Sequence, residues 1–242
     1  MNAVTEDTLL GGRVKIRQPE NGYRVALDPV LLAAAVAATD GNRVVDAGCG
    51  SGAAMFCLAV RVAGVDVTGL EIQPALADLA QQGIALNGLG ARARVMVGDL
   101  ALLSDIVCAH PFDIVMTNPP FVADGTAPPN ASVATAHRES GLGLAAWVGQ
   151  CLKLVGAGGR LVVIHRADRI SELLAALRPD CGDIRIMPVA PRAREPAKRV
   201  IVDAGKGRKS LDTLRPALIL HEADGRFTAE AQAILSAAAP LA

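Results

Sequence analysis

The segment Asp113 to Phe121, "DIVMTNPPF", combines an amide, two prolines and an aromatic ring at the end of an apolar run. The Asn118 side-chain oxygen and the Pro119 carbonyl could accept hydrogen bonds from an amine held beside them. Pro119 and Pro120 stiffen the corner, because proline fixes its own backbone angle. Phe121 could stack on a planar group. Neither Asn nor Pro is a useful general base, so this segment favours chemistry by orientation and electrostatics.

A glycine turn lies upstream in "VVDAGCGSG", where Asp46 ends an apolar run and Gly48, Gly50 and Gly52 follow. Glycines between a strand and a helix let the backbone turn tightly and approach a ligand closely. Such a turn alone is compatible with a dinucleotide site or with a simple corner. Asp46, Gly48 and Gly50 are therefore candidate cofactor-binding residues that need further support.

Two more acids give that support. Glu71 ends the next predicted strand, where an acid can accept both hydroxyls of a ribose. Asp99, in "MVGDL", ends the third strand, where it could accept a hydrogen bond from an adenine amino group, and Leu100 follows it. No phosphate-binding lysine follows the glycine turn. A ligand with a ribose, an adenine and no phosphates fits this set, and S-adenosylmethionine is such a ligand.

The succession "VVDAGCGSG", "GLE", "GDL" and "NPPF" resembles the class I S-adenosylmethionine-dependent methyltransferases over residues 43–121. The resemblance implies that Asp46, Gly48 and Gly50 pass under the methionine part of the cofactor. It implies that Glu71 holds the ribose and that Asp99 reads the adenine. "NPPF" resembles the motif of members that methylate planar nitrogens: adenine amines in DNA or RNA, guanine amines in ribosomal RNA, and a glutamine side chain in release factors.

The N-terminal stretch narrows this choice by a second resemblance. Its "GGRV", "QP", "GYR" and "D-x-VLLAA" resemble the head of the bacterial methyltransferases that modify the adenine next to the anticodon of a valine transfer RNA. By that analogy Gln18, Tyr23 and Arg24 are further cofactor-site candidates. A packed N-terminal arm without contact to a ligand is the alternative for these three residues.

The distribution of charge along the chain indicates where RNA could bind. The chain has no formal net charge, yet residues 184–210 hold eight basic residues and two acids. Such a segment is a docking surface for phosphates or a solvated loop. The RNA-contact candidates are His137, Arg138, Arg192, Arg194, Lys198 and Arg199.

Five scattered cysteines without a CxxC motif indicate reduced thiols, no metal site and a cytoplasmic location. We also expect no spanning helix and no secretion signal.

The elements that must position these residues alternate between apolar strands and helices. This pattern predicts an α/β fold: a Rossmann-like, doubly wound, mostly parallel sheet with an antiparallel C-terminal edge. We expect a single domain over residues 1–242, with an N-terminal extension and helix over 1–40 and the catalytic core over 41–242. Asp28 is the expected N-cap of the first helix, ahead of Pro29.

The expected function is methyl transfer to the exocyclic amine of an adenine in RNA, with transfer RNA favoured. Three alternatives stay open at this point: a guanine amino-methyltransferase for ribosomal RNA, a glutamine methyltransferase for a protein, and an inactive cofactor-binding scaffold.

Overall fold

The structure is a computed structural model that describes residues 3–20, 24–102, 111–120 and 142–241. Two short strands precede the first helix, and a helix follows each of the strands β3, β4, β6 and β7. The strands are β1 Val4–Leu9, β2 Val14–Pro19, β3 Arg43–Ala47, β4 Asp66–Glu71, β5 Ala93–Val97, β6 Phe112–Thr117, β7 Val155–Arg166, β8 Cys181–Arg192, β9 Arg199–Lys206, β10 Thr213–Leu214 and β11 Leu218–His221. The helices are α1 Asp28–Ala35, α2 Ala53–Arg61, α3 Pro74–Leu86, α4 Leu144–Leu154, α5 Ile170–Leu177 and α6 Ala229–Ala237.

The main sheet has the strand order β10-β8-β9-β7-β6-β3-β4-β5, and β11 also pairs with β8. Strands β3 to β7 are parallel to one another, while β9 is antiparallel to both β7 and β8. Strands β10 and β11 run parallel to β8. The predicted mostly parallel sheet with antiparallel pairing near its C-terminal end is confirmed. The reversed strand lies inside the sheet, between β7 and β8.

Helices cover both faces of this sheet, as its apolar strands predict. Val44 and Val45 are both fully buried, and because side chains alternate along a strand they enter different cores. Val44 belongs to the core built with α1 and α2, and Val45 to the core built with α4 and α5. Strands buried on both faces read as continuous apolar runs, which is why the sequence predicted them.

The N-terminal extension contains a β-hairpin that the sequence did not predict. Strands β1 and β2 pair antiparallel, and Val14 and Ile16 of β2 are fully buried in the core that also contains α1 and α2. The Asn87 amide, at the end of α3, bonds both the N–H and the C=O of Lys15. The hairpin is thus packed against the main sheet's helices.

The predicted capping role of Asp28 is wrong. Asp28 is the first residue of α1, and no side-chain hydrogen bond caps this helix. Its carboxylate instead accepts a hydrogen bond from Arg199 Nε at 2.7 Å. A guanidinium is a stronger partner for a carboxylate than a neutral backbone N–H, so the ion pair forms in place of the cap.

Candidate active site

A cavity of about 280 Å³ opens at the carboxyl ends of β3, β4, β5 and β6. This is the edge at which ligands bind to open α/β sheets, because the loops that follow the strands converge there. The cavity gathers most of the residues singled out from the sequence. Those on its wall are Asp46, Gly48, Gly50, Glu71, Asp99, Leu100, Asn118, Pro119 and Pro120.

The glycine turn has the backbone shape that its sequence requires. Gly48, Gly50 and Gly52 have φ values of 77°, 56° and 92°, a region that side chains disfavour. The N–H groups of Gly48 and Cys49 both donate to the carbonyl of Leu70 on β4, each at 2.9 Å. These bonds fix the turn against the neighbouring strand and hold it along the cavity wall.

The Glu71 carboxylate is only 5% exposed and is tied to backbone on both oxygens. Oε2 accepts from Gly50 N at 2.8 Å, and Oε1 accepts from Gln73 N at 2.9 Å. Each carboxylate oxygen can accept more than one hydrogen bond. Glu71 therefore stays able to accept two ligand hydroxyls in an orientation set before any ligand binds.

Asp99 lies at the far end of the same wall. Its Oδ1 accepts a hydrogen bond from Ala101 N at 2.8 Å, which orients the carboxylate. Gly98, just before it, donates to the Glu71 carbonyl at 2.9 Å and joins the two acids through the backbone. Leu100 is 5% exposed and supplies an apolar surface beside them.

Asp46 is a buried acid, and only part of its hydrogen-bonding capacity is used by the described residues. It is 2% exposed, it accepts a hydrogen bond from the Met55 backbone, and its Oδ2 has no partner among the described residues. Burial raises the pKa of Asp46 to about 7, against the lowering effect of the Met55 bond, and the nearby Glu71 charge raises it further. The carboxylate is thus prepared to receive a cationic or donor group from a ligand.

Asn118 carries the second orphaned acceptor of the cavity. It follows β6 directly, and its Oδ1 is buried without a hydrogen-bond partner among the described residues. A buried amide oxygen left without a partner is costly, which is typical of a group that is satisfied only by a ligand. Pro119 and Pro120 line the cavity next to it, whereas Phe121 lies outside the described residues.

Sequence reasoning missed Trp147, the single tryptophan of the chain, which lines the cavity and is 7% exposed. It also missed Pro19, Val25 and Pro29, which bring the N-terminal segment to the cavity wall. The rarity of tryptophan was the only available signal. The place of Trp147 in the sequence of α4 did not indicate that its side chain reaches the glycine turn after β3.

Gln18 and Arg24 are not among the residues that line the cavity, and their contact with a cofactor stays a prediction. Gln18 is buried, donates to Asp7 Oδ2 at 2.8 Å and accepts from Val25 N at 2.9 Å. Arg24 pairs with the same Asp7 carboxylate at 2.8 Å. These bonds hold the segment that brings Val25 to the cavity, which is a positioning role. Tyr23 lies outside the described residues.

The basic residues of the predicted RNA surface divide into two kinds. Arg192, Arg194 and Lys198 are exposed at the turn between β8 and β9, and Arg192 lies 3.5 Å from Glu195. Arg199 is half-buried in its ion pair with Asp28, and its contact with RNA stays a prediction. His137 and Arg138 lie outside the described residues.

Other chemistries find less support in the described part of the chain. No group of three or more His, Cys, Asp or Glu there could hold a metal ion. Cys49 faces the cavity, but burial raises the pKa of its thiol well above the ordinary value, so a nucleophilic thiolate is not available. Among the helices described here, none is long and apolar enough to cross a membrane.

The wall fits an adenosyl ligand with a charged methionine end. Glu71 and Asp99 present oriented acceptors at neighbouring strand ends, and the apolar wall between them includes Leu70, Leu76 and Leu100. The Asp46 Oδ2, for which the described part of the chain offers no hydrogen-bond partner, lies in the same cavity. This donor and acceptor set suits S-adenosylmethionine better than a phosphorylated nucleotide, because the wall is acidic.

Comparison with known proteins agrees with this geometry. Residues 27–138 match the family model described as "Methyltransferase small domain". The matched span contains β3 to β6, whose carboxyl ends border the cavity. A solved structure from Agrobacterium tumefaciens, described as a predicted O-methyltransferase, superposes with a TM-score of 0.73 at 28% identity and covers 88% of this chain and 98% of its own.

Curated relatives extend the similarity to almost the whole chain. A Porphyromonas gingivalis protein named tRNA1(Val) (adenine(37)-N6)-methyltransferase is 27% identical over 227 residues, which are 90% of this chain and 89% of that protein. A Vibrio campbellii protein of the same name is 25% identical and spans 85% of this chain and 84% of its own.

Proposed function

We propose that this chain, whose residues 27–138 match the methyltransferase small domain model, is an S-adenosylmethionine-dependent methyltransferase and that it methylates the N6 amine of an adenine in transfer RNA. The named relatives support this acceptor, and they align along nine-tenths of the chain. The observation that carries the proposal is the buried Asn118 Oδ1, which has no hydrogen-bond partner among the described residues and lies in the same cavity as Glu71 and Asp99.

The cofactor half of the cavity is assigned to the acids and the glycine turn. S-Adenosylmethionine supplies an electrophilic methyl group on a sulfonium when it is bound. Glu71 accepts the ribose hydroxyls, since both of its oxygens are already oriented by backbone N–H groups. Asp99 accepts from the adenine amine. Asp46 faces the cationic methionine end, where a positive charge stabilises its carboxylate.

The acceptor half of the cavity is assigned to the corner after β6. The lone pair of an adenine amine is delocalised into the ring, which makes the nitrogen a weak nucleophile. Asn118 Oδ1 and the Pro119 carbonyl accept the two amine hydrogens and localise that lone pair toward the methyl donor. The prolines keep both oxygens in place, so little reorganisation is needed. The amine proton leaves to solvent after the transfer, because neither the Asn118 amide nor the Pro119 carbonyl can act as a general base.

RNA docking is assigned to the exposed side chains Arg192, Arg194 and Lys198, together with His137 and Arg138. The turn that carries the first three follows β8. Because β9 is antiparallel to both β7 and β8, and β7 is parallel to β6, the ends of β8 and β6 lie at the same edge of the sheet, and Asn118 follows β6 there. Lysine and arginine at such a rim contact phosphates and position the RNA without reading its sequence. The enzyme would act on its RNA in the cytoplasm.

The test is methyl transfer by the purified protein from radiolabelled S-adenosylmethionine to valine transfer RNA, followed by nucleoside mass spectrometry. We expect N6-methyladenosine in the transfer RNA and none when its target adenine is replaced by guanosine. A ribosomal RNA fragment and a release factor serve as competing acceptors for guanine and glutamine. Methylation of either in place of transfer RNA, or of a small-molecule hydroxyl, would overturn the assignment.

A further inference from the structure

A chain of two hydrogen bonds joins the ends of β3 and β6 beneath the cavity. Trp147 Nε1 donates to Thr117 Oγ1 at 3.0 Å, and Thr117 Oγ1 donates to the Ala47 carbonyl at 2.7 Å. Ala47 and Thr117 are partners in the parallel register of the two strands. Gly48 follows the first of them and Asn118 the second. The chain therefore ends next to the cofactor turn on one side and next to the acceptor corner on the other.

Both hydrogen bonds are buried in the protein. Thr117 is fully buried, and Trp147 is 7% exposed with its remaining surface toward the cavity. Cys151, one helical turn beyond Trp147, is also fully buried. A hydroxyl with one donor and one acceptor of fixed position cannot rotate freely, so the backbone around Thr117 is held in one conformation.

The indole ring also touches the cofactor turn directly. A side-chain carbon at Gly48 would lie 3.0 Å and 3.1 Å from two carbons of the six-membered ring. Such distances are tighter than ordinary van der Waals contact, so the ring rests against the glycine backbone. The ring thereby limits how far the turn can move toward α4.

We propose that Trp147, through Thr117, is a positioning residue that couples the cofactor turn at Gly48 to the acceptor corner at Asn118. This inference rests on the proposed function. The tryptophan ring sets the position of the glycine turn relative to α4, and its N–H orients Thr117, which directly precedes Asn118. The two halves of the reaction are thus aligned by one side chain from α4, outside the strands that carry the reacting groups.

The test compares variants that remove one bond at a time. Thr117→Val keeps the shape but removes the hydroxyl, Thr117→Ser restores the hydroxyl, and Trp147→Phe keeps an aromatic ring without the N–H. Thr68→Val is the matched control, because Thr68 is buried in β4 of the same sheet and is absent from the cavity wall. Each variant is measured for kcat, for KM of transfer RNA and for calorimetric affinity for S-adenosylmethionine.

We expect Thr117→Val and Trp147→Phe to lower kcat by about 10- to 100-fold, since misplacement by about 1 Å can cost about 100-fold. In these two variants, the KM of transfer RNA and the affinity for S-adenosylmethionine should stay within about twofold of the wild-type values. Thr117→Ser should recover most of the wild-type kcat. Loss of thermal stability in Thr117→Val with unchanged kcat would show a purely structural role and overturn the inference. So would a kcat loss in Thr68→Val of the same size.

A second readout separates this inference from the proposed function. Trp147 is the sole tryptophan, so its fluorescence reports on this site alone. S-Adenosylmethionine should change the emission of the wild-type protein and change it less in Thr117→Val. If the wild type binds the cofactor but methylates no transfer RNA, the proposed function fails while this readout still decides the coupling. An identical emission change in both proteins overturns it.

Discussion

The Glu71 carboxylate and the backbone N–H of Gly50 are hydrogen-bonded at 2.8 Å, which ties the end of β4 to the turn after β3. With its other oxygen on Gln73 N, the acid is held before a ligand arrives. One side chain thus closes the turn and presents acceptors to the cavity. The two roles share the same atoms and should be lost together.

We therefore expect Glu71→Gln to weaken S-adenosylmethionine binding and to lower the thermal midpoint. The new NH₂ group would face a backbone N–H, and a buried donor left unpaired costs about 1–3 kcal/mol. Calorimetric titration and thermal unfolding measure both effects. Glu230→Gln, on the exposed surface of α6, is the control and should change neither. Full cofactor affinity in Glu71→Gln would remove Glu71 from the ribose site.

Asn118→Ala should lower kcat by about 100-fold or more, the size typical of losing one preorganised polar group. Its Oδ1 has no partner among the described residues, so its removal should leave the thermal midpoint nearly unchanged. Asn42→Ala is the opposite control, because Asn42 Oδ1 accepts from Thr39 N and its loss should affect stability but not kcat. Equal activity of Asn118→Ala and the wild type would contradict the assignment of the acceptor corner.

Cofactor affinity should rise with pH as Asp46 loses its proton. The pKa of Asp46 is raised by burial from 3.8 to about 7, so the ligand-free protein holds a proton there in mildly acidic solution. A cationic ligand favours the carboxylate, so affinity should increase up to about tenfold per pH unit below pH 7 and then level off. Calorimetry across this range measures the change.

The raised pKa of Asp46 also makes the stability of the ligand-free protein depend on pH. The folded state binds more protons than the unfolded state between pH 3.8 and about 7, so stability contributed by this group falls as pH rises through that window. Asp46→Asn should remove both pH dependences. Since the ligand's own amine titrates equally in both proteins, a pH profile unchanged by the substitution would exclude Asp46 as the titrating group.

Substitutions that change the charge should distinguish the exposed Arg194 from the ion-paired Arg199 at the β8–β9 turn. Arg194→Glu is expected to weaken transfer RNA binding and to reduce the salt dependence by about one unit, as for one lost phosphate contact. Arg199→Gln is expected to lower stability instead, because it breaks the bond to Asp28. Filter binding at several salt concentrations and thermal unfolding separate these outcomes. Arg94→Glu, exposed on β5 at the opposite sheet edge, should leave binding unchanged.

Much of the cofactor site was predictable because its signals are local. A glycine that needs a positive φ, as Gly48 does, and an acid at a strand end, as Glu71 is, are visible in a few neighbouring letters. The parallel sheet then brings strand ends together without further information, since all carboxyl ends meet at one edge. The N-terminal hairpin was not predicted, because its short alternating strands lie among glycines and charges that resemble a loop.

Sequence alone thus determined the sheet, the glycine turn, the acids and the amide corner, since each depends on residues close together in the chain. The tertiary structure decided which side chains complete them. Trp147 reaches the turn from α4, about a hundred residues away, and Arg199 bonds Asp28 from the far end of the chain. Contacts at such separations depend on how helices pack on the sheet, and no local pattern encodes which partner a buried or charged group will meet.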